Sequence, residues 1–563
     1  MYNKDYIQYL NTLHNVGAKN ENAIAEASQN NPFYKDITVK RPIVNIIAKW
    51  LTDISPHIII ITGHAGDGKT SLLIQVLEEI NALNGILEAS GEVALPNGNK
   101  CIYIKDFSEF SSDNRENLLK QCLENSKLGK HIVLVANTGP LLNTFSKVLG
   151  QEAQSELINT IDSNAASIVD IKGYKIRGLN ITNIDNSSFA GPFLKNLISS
   201  KNFDKCNCCS KKNLCPIFFN RNIIDRNQLK VFDFLKHHFI WQQEHGKRLT
   251  LRQIIAQITF SLTAGLECND VKHYDNKRYL FDHLFSNSLF GYKSININRQ
   301  ALAIQAIADI YQNGYDRKSL ISDEELFILN DYSSLDPEIQ EIITEIKDKY
   351  KTSNRNEWIQ AIRRMYILFN IETDELKNIE IIRGVFSNKF PRYLDLRNGK
   401  TPNNADKTLV IEAFAILHTG YAGKDCKEIP ITLKRSSGID QSVQLLYGAI
   451  HKRDIKLITK NRTSFNFGGE EIKQLHIEIQ GKTIVQPISL PLLNYFDDIK
   501  NGVISTNIDP HLTHGIDSIK AQMLSLFMPD SHTGTIEMIV MGTQDWDSIS
   551  LKEENGEYIL SSY

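Results

Sequence analysis

Long hydrophobic runs are missing from this sequence. Its most apolar stretches, Ile58–Ile61 and Ile132–Ala136, are the length of strands, and neither is long enough to span a membrane. An excess of one charge is missing too: 63 Lys and Arg stand against 65 Asp and Glu, a formal net charge of −2. No global basic field therefore marks the chain for nucleic acid. Cysteine is sparse, with 8 in 563 residues, which excludes a disulfide framework and suits a reducing cytoplasm. Met1–Asn11 is polar and aromatic and lacks the basic-then-apolar pattern of a secretory leader. Internal repeats and low-complexity tracts are absent as well. What remains is an ordinary globular composition, 42% hydrophobic and 23% charged. The chain is too long for one core, so roughly two to four domains are expected.

Residues 1–44 read as an N-terminal helical extension, at whose end Pro42 opens a short helix, Ile43–Leu51. Ser55-Pro56 breaks the chain before the strand His57–Thr62. Residues 45–190 then alternate strands with amphipathic helices: helix Lys69–Ile80, strand Cys101–Ile104, helix Arg115–Leu123, strand His131–Ala136, helix Ser155–Ile161, strands Ser167–Ile171 and Leu179–Thr182. Such alternation predicts an α/β core, a parallel sheet with helices on both faces. Residues 191–380 are predicted to form a helical lid region, with helices at Leu229–Gln243, Leu251–Ala264, Arg299–Tyr311, Pro337–Tyr350 and Glu357–Phe369. Residues 381–563 read as a mixed α/β, strand-rich domain, with strands at Ile431–Lys434, Lys456–Ile458, Leu475–Ile479, Thr483–Ile488 and Gly534–Met541.

The decisive segment runs Gly63-His64-Ala65-Gly66-Asp67-Gly68-Lys69-Thr70, followed by Ser71. It matches G-x-x-x-x-G-K-[ST] and has the context the motif requires, a buried strand before it and an amphipathic helix after. Each residue type has a reason. Glycines let the backbone curl so that successive amides can face a polyphosphate, and the helix opening at Lys69 adds the positive end of its dipole. Lys69 would reach the β- and γ-phosphates, and the Thr70 hydroxyl would ligate Mg²⁺. The fold expected is a P-loop NTPase, AAA- or STAND-like, binding ATP or GTP with Mg²⁺. No Asn-Lys-x-Asp guanine reader occurs, which favours ATP.

Hydrolysis needs more than phosphate binding. Asp106 closes the strand that begins at Cys101, where ligands of open parallel sheets sit, and could hold Mg²⁺ through water while Glu109 polarises the attacking water. The same two acids also suit a solvated strand-to-helix turn. Asn137, at the tip of His131–Ala136 and ahead of Gly139-Pro140, could hold the attacking water, or simply form the turn. Arg252 stands in the first turn of a helix capped by Thr250, where the helix dipole disfavours a cation, and so reads as a phosphate contact or a plain surface arginine.

Four cysteines fall in ten residues, Cys206, Cys208, Cys209 and Cys215. Cys206 and Cys209 have the x₂ spacing that grips one metal, and Cys215 could close from across a turn, with Cys208, His237 or His238 as a fourth ligand. Structural Zn²⁺, a reduced thiol cluster and an iron–sulfur or redox centre all fit this spacing.

Together the loop Gly63–Thr70, Ile104-Lys-Asp106-Phe-Ser108, Ala136-Asn137-x-Gly139-x-Leu141, the Cys206…Cys215-Pro216…Asn220 element and Leu249-Thr-x-Arg252 occur in an order that resembles the DptF family. These are P-loop ATPases of bacterial DNA phosphorothioation-dependent restriction. The resemblance covers roughly residues 45–290, and among its motifs only the loop is specific by itself. It implies a cytoplasmic ATPase acting with DptG and DptH in antiviral defence, reaching DNA through that complex, with homo-oligomerisation left open. It also implies a water-sensing role for Asn137 and a second nucleotide-sensing role for Arg252. The adjacent Asp-Glu pair usual in such ATPases is not present here.

Overall fold

The computed structural model describes residues 4–14, 31–53, 55–83, 87–162, 166–293, 296–351, 355–371, 376–420, 427–433, 443–463, 469, 471–503, 508–526, 535–541 and 546–562. Contacts divide the chain into two compact units, Met1–Phe386 with Thr463–Glu470, and Ser387–Arg462 with Glu471–Tyr563.

The first unit is α/β. Its six-stranded sheet is built from β1 (Ile58–Thr62), β2 (Ser90–Ala94), β3 (Lys100–Ile104), β4 (His131–Ala136), β5 (Val169–Ile171) and β6 (Tyr174–Asn180), in the order β2-β3-β4-β1-β6-β5. The four inner strands are parallel, with Thr62 level with Ala136 on one side and Asn180 on the other. The two edge strands are antiparallel, so the sheet is mixed where the alternation predicted a parallel one. Connection length explains the difference, because a parallel neighbour needs a crossover of about a dozen residues or more. Between Ile171 and Tyr174 stand only Lys172 and Gly173, both at positive φ (53° and 84°), which is a two-residue hairpin turn. The strand expected at Leu179–Thr182 accordingly begins at Tyr174, and the one expected at Ser167 begins at Val169. β2 escaped the sequence reading, since Ser90-Gly91-Glu92 carries almost no apolar pattern. A Cβ on Gly91 would stand 2.6 Å from the Tyr103 hydroxyl, so the bare glycine makes room for that ring.

Alternation along β1 makes two cores. Ile59 and Ile61 pack with Val44, Ile47 and Leu51 of helix Ile43–Thr52 and with Leu72, Val76 and Leu77 of helix Lys69–Glu79. Ile58 and Ile60 pack on the opposite face with Leu119 and Leu123, Leu141 and Phe145, and Leu157 and Ile161. These come from helices Ser112–Lys127, Thr138–Leu149 and Gln151–Asp162. Each such side chain contributes about 1.5–3 kcal/mol by leaving water, so a sheet covered on both faces is held firmly at its centre. Downstream the unit is helical, with helices at Pro216–Arg226, Gln228–Glu244, Leu251–Thr263, Pro337–Lys351 and Arg355–Asn370 among others. The single helix expected at Arg299–Tyr311 is two, Arg299–Leu302 and Gln305–Asn313, because the buried Ile304 between them takes an extended backbone (φ −89°, ψ 112°).

The second unit carries antiparallel sheets and helices. A five-stranded sheet joins Glu428–Leu433, Val443–His451, Thr535–Met541, Trp546–Glu554 and Glu557–Ser562. A three-stranded one joins Ile455–Asn461, Lys473–Ile479 and Lys482–Thr483. Of the expected strand Thr483–Ile488, only its start and an isolated bridge between Ile488 and Leu475 remain. Lys434 and Gly534, expected at strand ends, lie outside the described residues. Helices Asn404–Thr419, Leu490–Lys500 and Pro510–Leu524 complete the unit with Phe390–Arg397. Among the described residues, no helix of the protein is long and apolar enough to cross a membrane.

Candidate functional site

Five buried residues make β1, and the chain leaves the sheet at Thr62, whose hydroxyl donates to Leu179 O at 3.2 Å. The glycine-rich loop that follows has local reasons for its composition. Gly66 (φ 89°) and Gly68 (φ 74°) occupy the left-handed region that side chains disfavour. At Gly63 the limit is space, since a Cβ would stand 2.7 Å from Ile181 Cγ1. Helix Lys69–Glu79 starts directly behind Gly68.

Lys69 is buried, and its ammonium donates to Gly63 O at 3.0 Å, His64 O at 2.9 Å and Asn137 Oδ1 at 2.9 Å. Burial pulls its pKa below the usual lysine value. Asp67 and Asp106 oppose that shift, while Arg252 adds to it. The Thr70 hydroxyl lies 3.4 Å from Asp106 Oδ1 as donor, which brings together a hydroxyl and a carboxylate separated by 36 residues of chain. Parallel pairing of β3 with β4 beside β1 does this, because Asp106 leaves β3 at the same sheet edge as the loop.

Asn137 follows the last residue of β4, and its amide N–H donates to Ser108 Oγ at 2.6 Å. Glu109, exposed, ends the short 3₁₀ turn Phe107–Glu109. Helix Leu251–Thr263 begins with the expected cap: Thr250 Oγ1 accepts the Gln253 N–H at 3.4 Å, and Gln253 Oε1 accepts the Thr250 N–H at 2.8 Å. One residue into that helix, the Arg252 N–H donates to Gly66 O at 3.1 Å, and its side chain is exposed.

One cavity of about 360 Å³ is lined by Lys69, Thr70, Asp106, Glu109, Asn137 and Arg252, and also by Ala65, Gly66, Gly68 and Ser71 of the loop. Gly63, His64 and Asp67 shape the loop without lining the cavity; His64 N–H donates to Asp67 Oδ2 at 2.9 Å. Sequence reasoning missed its other walls. Tyr9, Tyr34, Ile37, Phe189, Phe193 and Ile255 give it an apolar side, which no local motif announces. Arg41, buried and also lining the cavity, is pulled down to about 10 by that burial and donates to Asp67 O at 3.2 Å. Arg248 donates to Asp67 Oδ1 at 2.8 Å. Only the unusual acid at loop position Asp67 could have hinted at two cationic partners.

The cysteines arrange differently from their spacing. The Cys209 N–H donates to Cys206 O at 3.1 Å, and Cys215 caps helix Pro216–Arg226. Burial, with smaller contributions from Cys215, Cys268 and Cys209, pushes the Cys206 thiol up to about 12. Burial likewise pushes Cys215 and Cys268 up to about 11, with Cys209 contributing to both. Cys268, distant in sequence, therefore joins this neighbourhood. Cys208 is exposed, and the two proposed histidines are buried in helix Gln228–Glu244, where His238 Nδ1 lies 3.3 Å from the Tyr315 hydroxyl. Among the described residues no three His, Cys, Asp or Glu side chains are grouped so that they could hold a metal ion. The expected ligand set Cys206, Cys209 and Cys215 is thus a set of neighbouring thiols and not an assembled metal shell.

No protein-family model, curated protein or solved structure matches this chain.

Proposed function

We propose that this chain binds ATP with Mg²⁺ at the Gly63–Thr70 loop, as a P-loop NTPase, and hydrolyses it. The single observation that carries the reading is that Lys69, Thr70, Asp106, Glu109, Asn137 and Arg252, drawn from four separate stretches of chain, all line one cavity beside the loop. Lys69 would exchange its contacts to loop carbonyls for phosphate oxygens. The hydroxyl of Thr70 and the carboxylate of Asp106 are hard oxygen donors of the kind Mg²⁺ takes. Held by these two groups, Mg²⁺ would supply charge neutralisation to a bound polyphosphate. Asn137 and Glu109 would position and polarise the attacking water, with Arg252 contacting phosphate across the cavity. The apolar side, with Tyr34 and Phe193, suits a nucleobase, and no carboxylate stands among those apolar walls to read guanine.

A second reading, a nucleotide-dependent switch with little turnover, is favoured by the exposure of Glu109, which leaves the general base loosely held. Phosphate release from the purified chain separates the two. Measurable turnover that Lys69→Ala abolishes excludes the switch; nucleotide binding without turnover excludes the hydrolase.

A place in phosphorothioation-dependent DNA restriction, with DptG and DptH as partners, rests on the family resemblance alone, while the cytoplasm as location draws also on the sparse cysteines. Co-purification of the chain with those two proteins tests it, and failure of all three to associate in the presence of ATP would remove it.

A further inference from the structure

Asp67 stands inside the glycine-rich loop, yet its side chain is turned away from solvent and is 1% exposed. Its two oxygens are both used: Oδ2 accepts the His64 N–H at 2.9 Å, and Oδ1 accepts Arg248 Nη1 at 2.8 Å. Arg248 also donates through Nη2 to Ile181 O at 3.3 Å, just past the end of β6. Asn186 Nδ2 donates to Leu249 O at 3.1 Å, and the Arg252 N–H donates to Gly66 O at 3.1 Å. The segment Arg248–Arg252 therefore packs directly against the loop. A Cβ at Gly66 would stand 3.1 Å from Thr250 Oγ1, and one at Gly68 would stand 3.1 Å from Leu251 Cδ1.

A loop with glycine at positions 63, 66 and 68 loses much conformational entropy when ordered. It keeps one shape only if outside groups hold it. A buried carboxylate is costly unless paired, so Asp67 recruits a cation wherever the fold can supply one. The cation comes from the same short segment that carries Arg252 into the cavity.

We propose that Asp67 and Arg248 are positioning residues, an ion pair that holds the loop amides in the shape a polyphosphate needs and ties that shape to the placement of Arg252. The proposal rests on the nucleotide reading above. Loop and helix then act as one element: release of Arg248 from Asp67 both loosens the loop and withdraws the helix start that presents Arg252.

The test uses the full chain, a fluorescent ATP analogue with Mg²⁺, and phosphate release. Asp67→Asn and Arg248→Ala should each raise Kd at least tenfold. The double variant should be no weaker than the poorer single, and Arg248→Lys, which retains a cation, should recover part of the loss. Arg252→Ala should lower kcat in the wild-type background and change it less than twofold in the Arg248→Ala background. Equal Kd values for wild type and both single variants, or additive losses in the double variant, would overturn the coupling while leaving nucleotide binding in place. A wild-type chain that binds no nucleotide would instead remove the underlying reading. A merely structural role would lower the melting temperature of these variants without making their effects on Kd and kcat interdependent.

Discussion

The ammonium of Lys69 donates to Asn137 Oδ1 at 2.9 Å, joining the start of the helix after β1 to the tip of β4. A cation that suits phosphate and an amide that suits water are thereby in direct contact, and each restrains the other. The pair also makes the two residues separable by experiment, because one binds charge and the other does not.

Lys69→Ala removes the buried ammonium that follows the loop and lines the cavity, and should weaken nucleotide binding at least about tenfold and turnover by about 10²–10³-fold. Asn137→Ala should leave affinity within about threefold while lowering turnover about tenfold or more. Calorimetry and single-turnover phosphate release distinguish them. Equal losses of affinity in both variants would mean that Asn137 serves binding only.

Gly68→Ala tests the loop's conformational demand. An alanine at φ 74° costs about 1–2 kcal/mol, and its Cβ would press on Leu251 Cδ1 at 3.1 Å. Chemical denaturation should show a loss of that size together with reduced nucleotide affinity. A variant as stable as wild type would mean that the loop relaxes to another shape.

Acid sensitivity follows from buried histidines in the first unit. Burial holds His14 and His237 at about 4 and His238 at about 3, so all three are neutral in the fold. In the unfolded chain they titrate near 6.5. Their folded-state values are depressed, so the unfolded form binds more protons as pH drops. The stability they provide is therefore present above pH about 6.5 and is lost as pH falls towards about 4. Denaturation midpoints should decline between pH 7.5 and pH 5, with net proton uptake on unfolding at pH 5. A flat profile over that range would mean that these rings are solvated.

Thiol reactivity should follow exposure. Burial pushes Cys101 and Cys122 up to about 12, so alkylation at pH 8 should modify the exposed Cys208 first and reach those two only after unfolding. Cys206, Cys209 and Cys215 add a second arm: they form no metal-holding group among the described residues, so added Zn²⁺ should leave their labelling, read by mass spectrometry, unchanged. Protection of the three by Zn²⁺ would restore the ligand set expected from their spacing.

The legible parts of this molecule were those with local causes. β1 shows itself by four consecutive isoleucines, and the helix start at Leu251 by the Thr250–Gln253 cap. The antiparallel edges were not legible, because Ser90-Gly91-Glu92 pairs through backbone and leaves no apolar pattern to read. Cys268 was overlooked for a similar reason: 53 residues separate it from Cys215, and no motif spacing reaches that far.

By itself the order of residues determined the loop. Glycine stands where φ is positive or a Cβ would clash, and Lys69 and Thr70 follow at the helix start. These are demands of backbone geometry within a few residues, so the neighbouring letters carry them. Only the tertiary structure decided that Asp106 meets Thr70 across 36 residues, and that Arg248 meets Asp67 across 181. Strand register and helix packing place those groups, and both are set by long-range burial whose partners no local pattern names.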